Sequence, residues 1–157
     1  MMKRIVTGAV LLASAMSLSV MAAAPQTPEE KAATDVANRQ AVFKLLSVAN
    51  GPLGGMARGA PYNADAAKAS LERLGVLAKM IPEVFAADTT AFKGVKTRAS
   101  DTIWASKADF DKLAADLSAA VKAASDTVAA KGADGIKDAV AGIGPKCGAC
   151  HDRFRLN

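Results

Sequence analysis

Apolar side chains recur at intervals of three and four along most of this chain, and runs of alternating β-branched residues are close to absent. That period predicts helices and argues against strands. The first helix is expected to start at Thr27-Pro28-Glu29-Glu30. Thr27 can cap it, proline suits the first helical position, and two carboxylates lie at the positive end of the dipole. Val36, Gln40, Phe43 and Leu46 share one face of it. Asn50-Gly51-Pro52 should end or bend it, ahead of Leu53, Met56 and a loop through Gly59-Ala60-Pro61-Tyr62.

The second helix, capped by Asn63 or Asp65, carries Ala67, Leu71, Leu74, Ala78 and Ile81 as a buried stripe, and Pro82 should disturb its end. An irregular connection from Phe85 to Ala99 follows. The third helix, capped by Ser100 or Asp101, presents Ile103, Phe110, Leu113, Leu117, Val121, Ala124 and Val128 on one side. Unbroken, it would run about 28 residues, or roughly 40 Å. Gly132 and Gly135 mark the next turn. The fourth helix holds Ile136, Val140, Ile143 and Phe154, and Gly142, Gly144 and Pro145 should kink or restart it. Four amphipathic helices with mostly short links predict an all-α fold, an antiparallel four-helix bundle.

The first residues are expected to stand apart from this fold. Met1-Met2-Lys3-Arg4 is basic, Ile5 to Val20 is mostly apolar, and Ala22-Ala23-Ala24 offers small residues for cleavage. This is the pattern of a signal peptide over residues 1–24. The apolar run is short and broken by Gly8, Ser14, Ser17 and Ser19, which argues against stable membrane insertion. Residues 25–157 suffice for one domain with a real core. Of the 20 basic side chains, Lys3 and Arg4 fall in the expected signal, leaving eighteen against 15 acidic ones. The basic residues are spread among Asp and Glu and aromatics are few, so nucleic acid is not an expected partner. A mild preference for an acidic redox partner is compatible with this balance.

Chemistry concentrates in one pentapeptide. The chain's two cysteines and one histidine all lie in Cys147-Gly148-Ala149-Cys150-His151. That spacing is the attachment signature of c-type haem: two thiols for the vinyl groups and an adjacent imidazole for the iron. A structural zinc site needs about four ligands, and only three are offered. A dithiol redox pair needs the same gap but belongs in a βαβ setting that the pattern does not show. A plain disulfide would leave His151 unexplained. One haem c, covalent through Cys147 and Cys150, is the expected cofactor, with His151 as the metal ligand. Attachment of this group after export implies a periplasmic location.

The motif's place at the C-terminal end of an all-helical chain, together with Arg39-Gln40, Pro61-Tyr62, Ile103-Trp104 and Arg155, resembles the class II c-type cytochromes, and specifically the cytochrome c′ family. The resemblance covers essentially all of residues 25–157. It implies that the last helix holds the haem within the bundle and the first helix crosses its far face. It implies thioethers from Cys147 and Cys150 and a proximal ligand in His151. Arg39 and Gln40 would bind haem propionates. Arg155, one turn past His151, would lie beside the imidazole, and Thr97-Arg98 would approach the haem edge. Trp104 is expected to be a buried anchor between helices.

A sixth iron ligand would have to come from upstream, and residues 25–157 contain two methionines, Met56 and Met80. Low-spin members of the family place a methionine in the first helix, where this chain reads Val42-Phe43-Lys44-Leu45-Leu46. Phe43 aligns with the apolar residue above the iron in the high-spin members. The resemblance therefore implies a five-coordinate, high-spin iron that binds small gas ligands such as nitric oxide and carbon monoxide and exchanges electrons with redox partner proteins. The alternative is a purely electron-carrying, low-spin protein with a methionine ligand. No enzymatic activity is expected, because no second histidine is present to act on peroxide. Pairing into a homodimer through the first two helices is also implied.

Overall fold

Thr27 and Glu30 close the start of the first helix in both directions. The Glu30 amide donates to Thr27 Oγ1 at 3.2 Å, and the Thr27 amide donates to Glu30 Oε2 at 2.8 Å. This is a capping box with proline in the first turn, as the sequence predicted. The computed structural model describes residues 25–156; the expected signal peptide over residues 1–24 lies outside them.

From that cap, α1 runs over Pro28–Ala57, α2 over Ala64–Val84, α3 over Thr102–Ala105, α4 over Lys107–Lys131 and α5 over Ile136–Phe154. Of the two candidate caps of α2, Asn63 serves: its Oδ1 accepts from the Ala66 amide at 2.8 Å. α1 packs on α2, α2 on α4 and α4 on α5, which gives a four-helix bundle. The α1–α5 seam is the loosest of the four. Among the described residues a single antiparallel bridge, Ala99 to Arg155, is the only β-type pairing.

The helices continue through three prolines, so neither an end at Pro52 nor a fresh start at Pro145 is seen. α1 continues through Pro52, α2 through Pro82 and α5 through Pro145. Each proline removes one backbone donor, a loss of about 3 kcal/mol in a helix interior. Burial of the residues beside them offsets it: Leu53, Ile81 and Ile143 are all at most 3% exposed.

The third predicted helix is broken instead. Ser106 leaves the helical region at φ −125°, ψ 44°, so α3 is one turn and α4 starts afresh. Ser100 Oγ accepts from the Thr102 amide at 3.2 Å, and Asp101 makes no capping hydrogen bond. Ile103 and Phe110 are seven residues apart, close to two full turns, so apolar spacing reads the same with or without the break. Both reach the core at 1% and 2% exposure.

α1 also buries a different stripe from the one predicted. Val36, Val42, Ala49 and Leu53 face the core, with Arg39 among them, whereas Gln40 is exposed and Phe43 and Leu46 are half-buried. The Gln40–Phe43 face lies roughly a quarter turn further round. It lines a cavity.

Between α4 and α5, Gly132 takes φ +57° and Gly135 packs against the preceding turn. A Cβ on Gly135 would lie 2.8 Å from the Thr127 carbonyl oxygen. Replacing Gly135 with alanine is expected to cost about 1–3 kcal/mol by overpacking a backbone that has no flexible partner to move. Urea denaturation of the variant checks this, and an unchanged midpoint would overturn it.

Candidate functional site

On α5, Cys147, Cys150 and His151 are related as i, i+3 and i+4, so one helix face carries both thiols and the imidazole. Ile143 and Phe154 extend that face above and below. It borders a cavity of about 560 Å³ in the loose seam between α1 and α5. α1 contributes Gln40, Phe43, Leu46 and Asn50, and α4 contributes Phe110, Leu113 and Leu117. A volume of this order is typical of sites that take a cofactor-sized group.

The donor set fits haem c. Both cysteines are free and half-buried, and burial raises both thiols above their ordinary range. Among the described residues no group of three or more His, Cys, Asp or Glu side chains could hold a metal ion on its own. His151 is exposed toward the cavity mouth. Burial lowers it below its ordinary value, Arg155 adds to that, Asp152 opposes it and Arg98 adds again. The imidazole is thus neutral at pH 7, with a lone pair to offer a metal.

Asn50 Oδ1, a cavity-lining oxygen, is buried without a hydrogen-bond partner. Phe43 comes from the opposite wall and meets Phe85 edge-on with ring centroids 6.1 Å apart. Phe85 in turn contacts Trp104 and Phe110 at 6.3 and 4.8 Å, and Phe110 contacts Phe154 at 5.4 Å. The wall of the cavity is therefore a connected aromatic cluster.

The long connection after α2 is irregular, as expected, and is tied to the far end of the chain. The Ser100 amide donates to the Phe154 carbonyl at 2.9 Å and the Leu156 amide to the Arg98 carbonyl at 2.8 Å. This pairing brings Thr97, Arg98 and Arg155 to the cavity together. The resemblance placed these residues near one another, but the backbone pairing itself, between partners more than fifty residues apart, has no local cue.

Arg39 makes contacts the sequence did not suggest. It lines the cavity, but its guanidinium is held elsewhere: Nε donates to Val84 O at 2.8 Å, one terminal nitrogen to Thr89 Oγ1 at 2.8 Å and the other to Ala87 O at 2.7 Å. Its carbon centre lies 4.9 Å from the Phe85 ring centre and 5.0 Å from that of Trp104. Carbonyls left open at the end of α2 attract the cation, and the adjacent Phe85 and Trp104 rings lie beside it. Burial lowers its affinity for the proton, while Asp35 and Asp88 raise it. Arg39 is thus a clamp on the α2 terminus, with at most two of its five N–H groups left for a propionate. Gln40 is similarly turned toward the loop, its Nε2 donating to Lys96 O at 3.3 Å. Trp104 is the anchor expected, half-buried and donating from Nε1 to Phe85 O at 3.3 Å.

Neither methionine lies on the cavity wall. Met56 accepts from the Asn63 amide at 3.3 Å, at the far end of α1, and Met80 packs against the core. Sequence reasoning missed Lys44, Asn50 and Lys146 as wall residues. Lys44 and Asn50 sit one and two turns on from Gln40 and Phe43, so extending the helical register of Gln40 and Phe43 would have found them.

The cytochrome c′ sequence profile matches residues 34–155. Cytochrome c′ of Cereibacter sphaeroides is 36% identical over 141 residues, spanning 88% of this chain and 94% of that protein. Cytochrome c-556 of Rhodopseudomonas palustris is 36% identical over 106 residues, spanning 66% of this chain and 70% of that one. A nitric oxide complex of a leucine-to-isoleucine variant of Alcaligenes xylosoxidans cytochrome c′ superposes with a TM-score of 0.70 at 25% identity, covering 80% of this chain and 97% of that structure. Profile, relatives and bundle agree with the thiol spacing on α5: the chain belongs to the cytochrome c′ family, and haem c is its cofactor.

Proposed function

We propose that this protein works in the periplasm as a haem c protein with a five-coordinate, high-spin iron, binding nitric oxide and carbon monoxide and passing electrons to partner proteins. Haem c, when bound, would supply a redox-active iron. The observation that carries the reading is the asymmetry of the cavity. The one imidazole of the wall, His151, comes from α5; the facing stretch of α1 sets Phe43 and Leu46 beside Lys44 and Asn50, and neither Met56 nor Met80 reaches the wall.

Each residue then has a task. Cys147 and Cys150 anchor the macrocycle to α5, and His151 binds the iron through a neutral ring nitrogen. Phe43 excludes water and anions and offers no hydrogen bond to a bound diatomic, so small uncharged ligands are favoured. Arg155 works against protonation of His151. The nitric oxide complex of the Alcaligenes relative supports a gas-binding role on this fold. No helix of the described residues is long and apolar enough to cross a membrane.

Adding nitric oxide to the reduced protein is expected to shift its absorption spectrum, and an unchanged spectrum would count against the reading. Electron paramagnetic resonance of the oxidised protein should show high-spin iron. Phe43→Met should place a thioether on the cavity wall and move the signal to low-spin. The second reading is a purely electron-carrying, low-spin protein. A low-spin signal from the unaltered protein would favour it.

Pairing of two copies through α1 and α2 is also supported. Leu45 and Val48 on α1 and Val76 on α2 are 52%, 66% and 63% exposed. Sedimentation should show a species of twice the chain mass that dissociates on dilution.

A further inference from the structure

We propose that the mouth of the cavity is a docking surface for a protein partner with an acidic patch, and that its recognition groups are Lys44, Arg98, Lys146 and Arg155. This rests on the reading above that the haem site exchanges electrons with proteins.

All four side chains border the cavity, from α1, the α2–α3 connection, α5 and the segment just past it, and no Asp or Glu is on the wall with them. None takes part in an ion pair among the described residues. Elsewhere many cations are paired, although Arg58, Arg73, Lys79, Lys96 and Lys137, scattered off the cavity wall, also take part in no ion pair among the described residues. Along the helices lysines alternate with carboxylates and close Lys31–Asp35, Lys107–Asp111, Lys112–Asp116 and Lys122–Asp126 at 3.1, 2.6, 2.8 and 2.7 Å. Those pairs cancel locally. Residues 25–157 carry a surplus of only three positive charges, so the four rim cations exceed the net charge of the whole domain.

The rim is also held in place. The Ala99–Arg155 bridge fixes the backbone of two adjacent strands of chain, and Arg98 Nε donates to Leu156 O at 3.2 Å. Two guanidiniums are thereby presented from a braced segment. Haem propionates would neutralise at most two of the four charges. Asp116 acts on Lys146 from α4 but is bonded to Lys112, and Asp152 acts on His151; neither lines the cavity. Unpaired positive charge lining the site, with no carboxylate among it, focuses an attractive field on carboxylates and steers encounter to the place where electrons enter and leave.

The test uses the haem-loaded protein in stopped flow. Its reduced form is oxidised by ferricyanide, an anion, and by tris(phenanthroline)cobalt(III), a cation, at rising ionic strength. The ferricyanide rate should fall by about tenfold between low and high salt, and the cobalt rate should rise. Lys44→Gln with Lys146→Gln should slow ferricyanide about threefold or more at low salt. Lys79→Gln with Lys137→Gln removes the same charge from exposed positions off the cavity wall and should change it by less than about 1.5-fold. In parallel, titration with a glutamate-rich peptide, followed by backbone amide resonances, should move signals of the rim and spare those of α2.

Equal effects of the two double variants would overturn the proposal, since net charge alone would then explain the rates. So would adsorption to anionic phospholipid vesicles without binding of the acidic peptide. Failure of the underlying reading looks different: the purified chain would carry no covalent porphyrin and show no oxidation signal at all.

Discussion

Changing Cys147 and Cys150 together to alanine is expected to give an exported product with the mass of the polypeptide alone. Both thiols lie on the cavity face of α5, and the chain contains no other cysteine to substitute for them. Haem then has no covalent anchor, whatever His151 does. Mass spectrometry of the denatured product reads the outcome as the presence or absence of the added porphyrin. Haem-dependent staining of a denaturing gel reads it independently. The single variants should each keep one thioether and so retain haem through denaturation at reduced yield. Porphyrin that survives denaturation of the double variant would contradict the assignment of both thiols.

The second large effect concerns Arg39. Arg39→Ala removes three charge-assisted hydrogen bonds from a position that is 2% exposed. It strands Val84 O, Ala87 O and Thr89 Oγ1, and it removes the cation that lies against the Phe85 and Trp104 rings. A loss of about 3–5 kcal/mol in unfolding free energy is expected. Arg39→Lys should recover less than half of it, because an ammonium group cannot present the planar fork that reaches three acceptors. Urea denaturation of the haem-loaded proteins gives the magnitudes. Hydrogen exchange gives the location: amides of residues 85–99 should lose protection first. A loss under about 1 kcal/mol would mean that the guanidinium does not hold this segment.

Much of the fold could be read from residue spacing, for local reasons. Thr27 with Glu30, and Asn63 with Ala66, are contacts between near neighbours, so the chain declares those helix starts directly. Ala67, Leu71, Leu74, Ala78 and Ile81 were expected to face inward, and all are buried. The helices run on through the prolines because a local rule was opposed by a distant gain. Pro52, Pro82 and Pro145 each weaken a helix by a roughly known amount, and packing of the flanking apolar residues outweighs it. The break at Ser106 was hidden because a seven-residue interval preserves the apolar face on either side of it.

Arg39 shows the same limit at the site. Its place beside the buried stripe of α1 was visible, and its resemblance-based role was to meet a propionate. What holds it are two carbonyls and a hydroxyl more than forty residues away. Those acceptors become available only when α2 ends beside α1, leaving carbonyls that no intrahelical donor can reach.

The chemistry of this protein was written locally. Two thiols and an imidazole at i, i+3 and i+4 share a helix face by the geometry of one helix alone, so Cys147-Gly148-Ala149-Cys150-His151 declared its cofactor without any fold. Tertiary structure decided everything that depends on chain segments meeting. It set Phe43 on the wall facing His151's helix, kept Met56 and Met80 away from it, turned Arg39 into a clamp, and gathered Lys44, Arg98, Lys146 and Arg155 around one opening. Spacing along a helix is fixed by 3.6 residues per turn. Which helix faces which is fixed by the burial of whole stripes at once, and no short stretch of sequence carries that information.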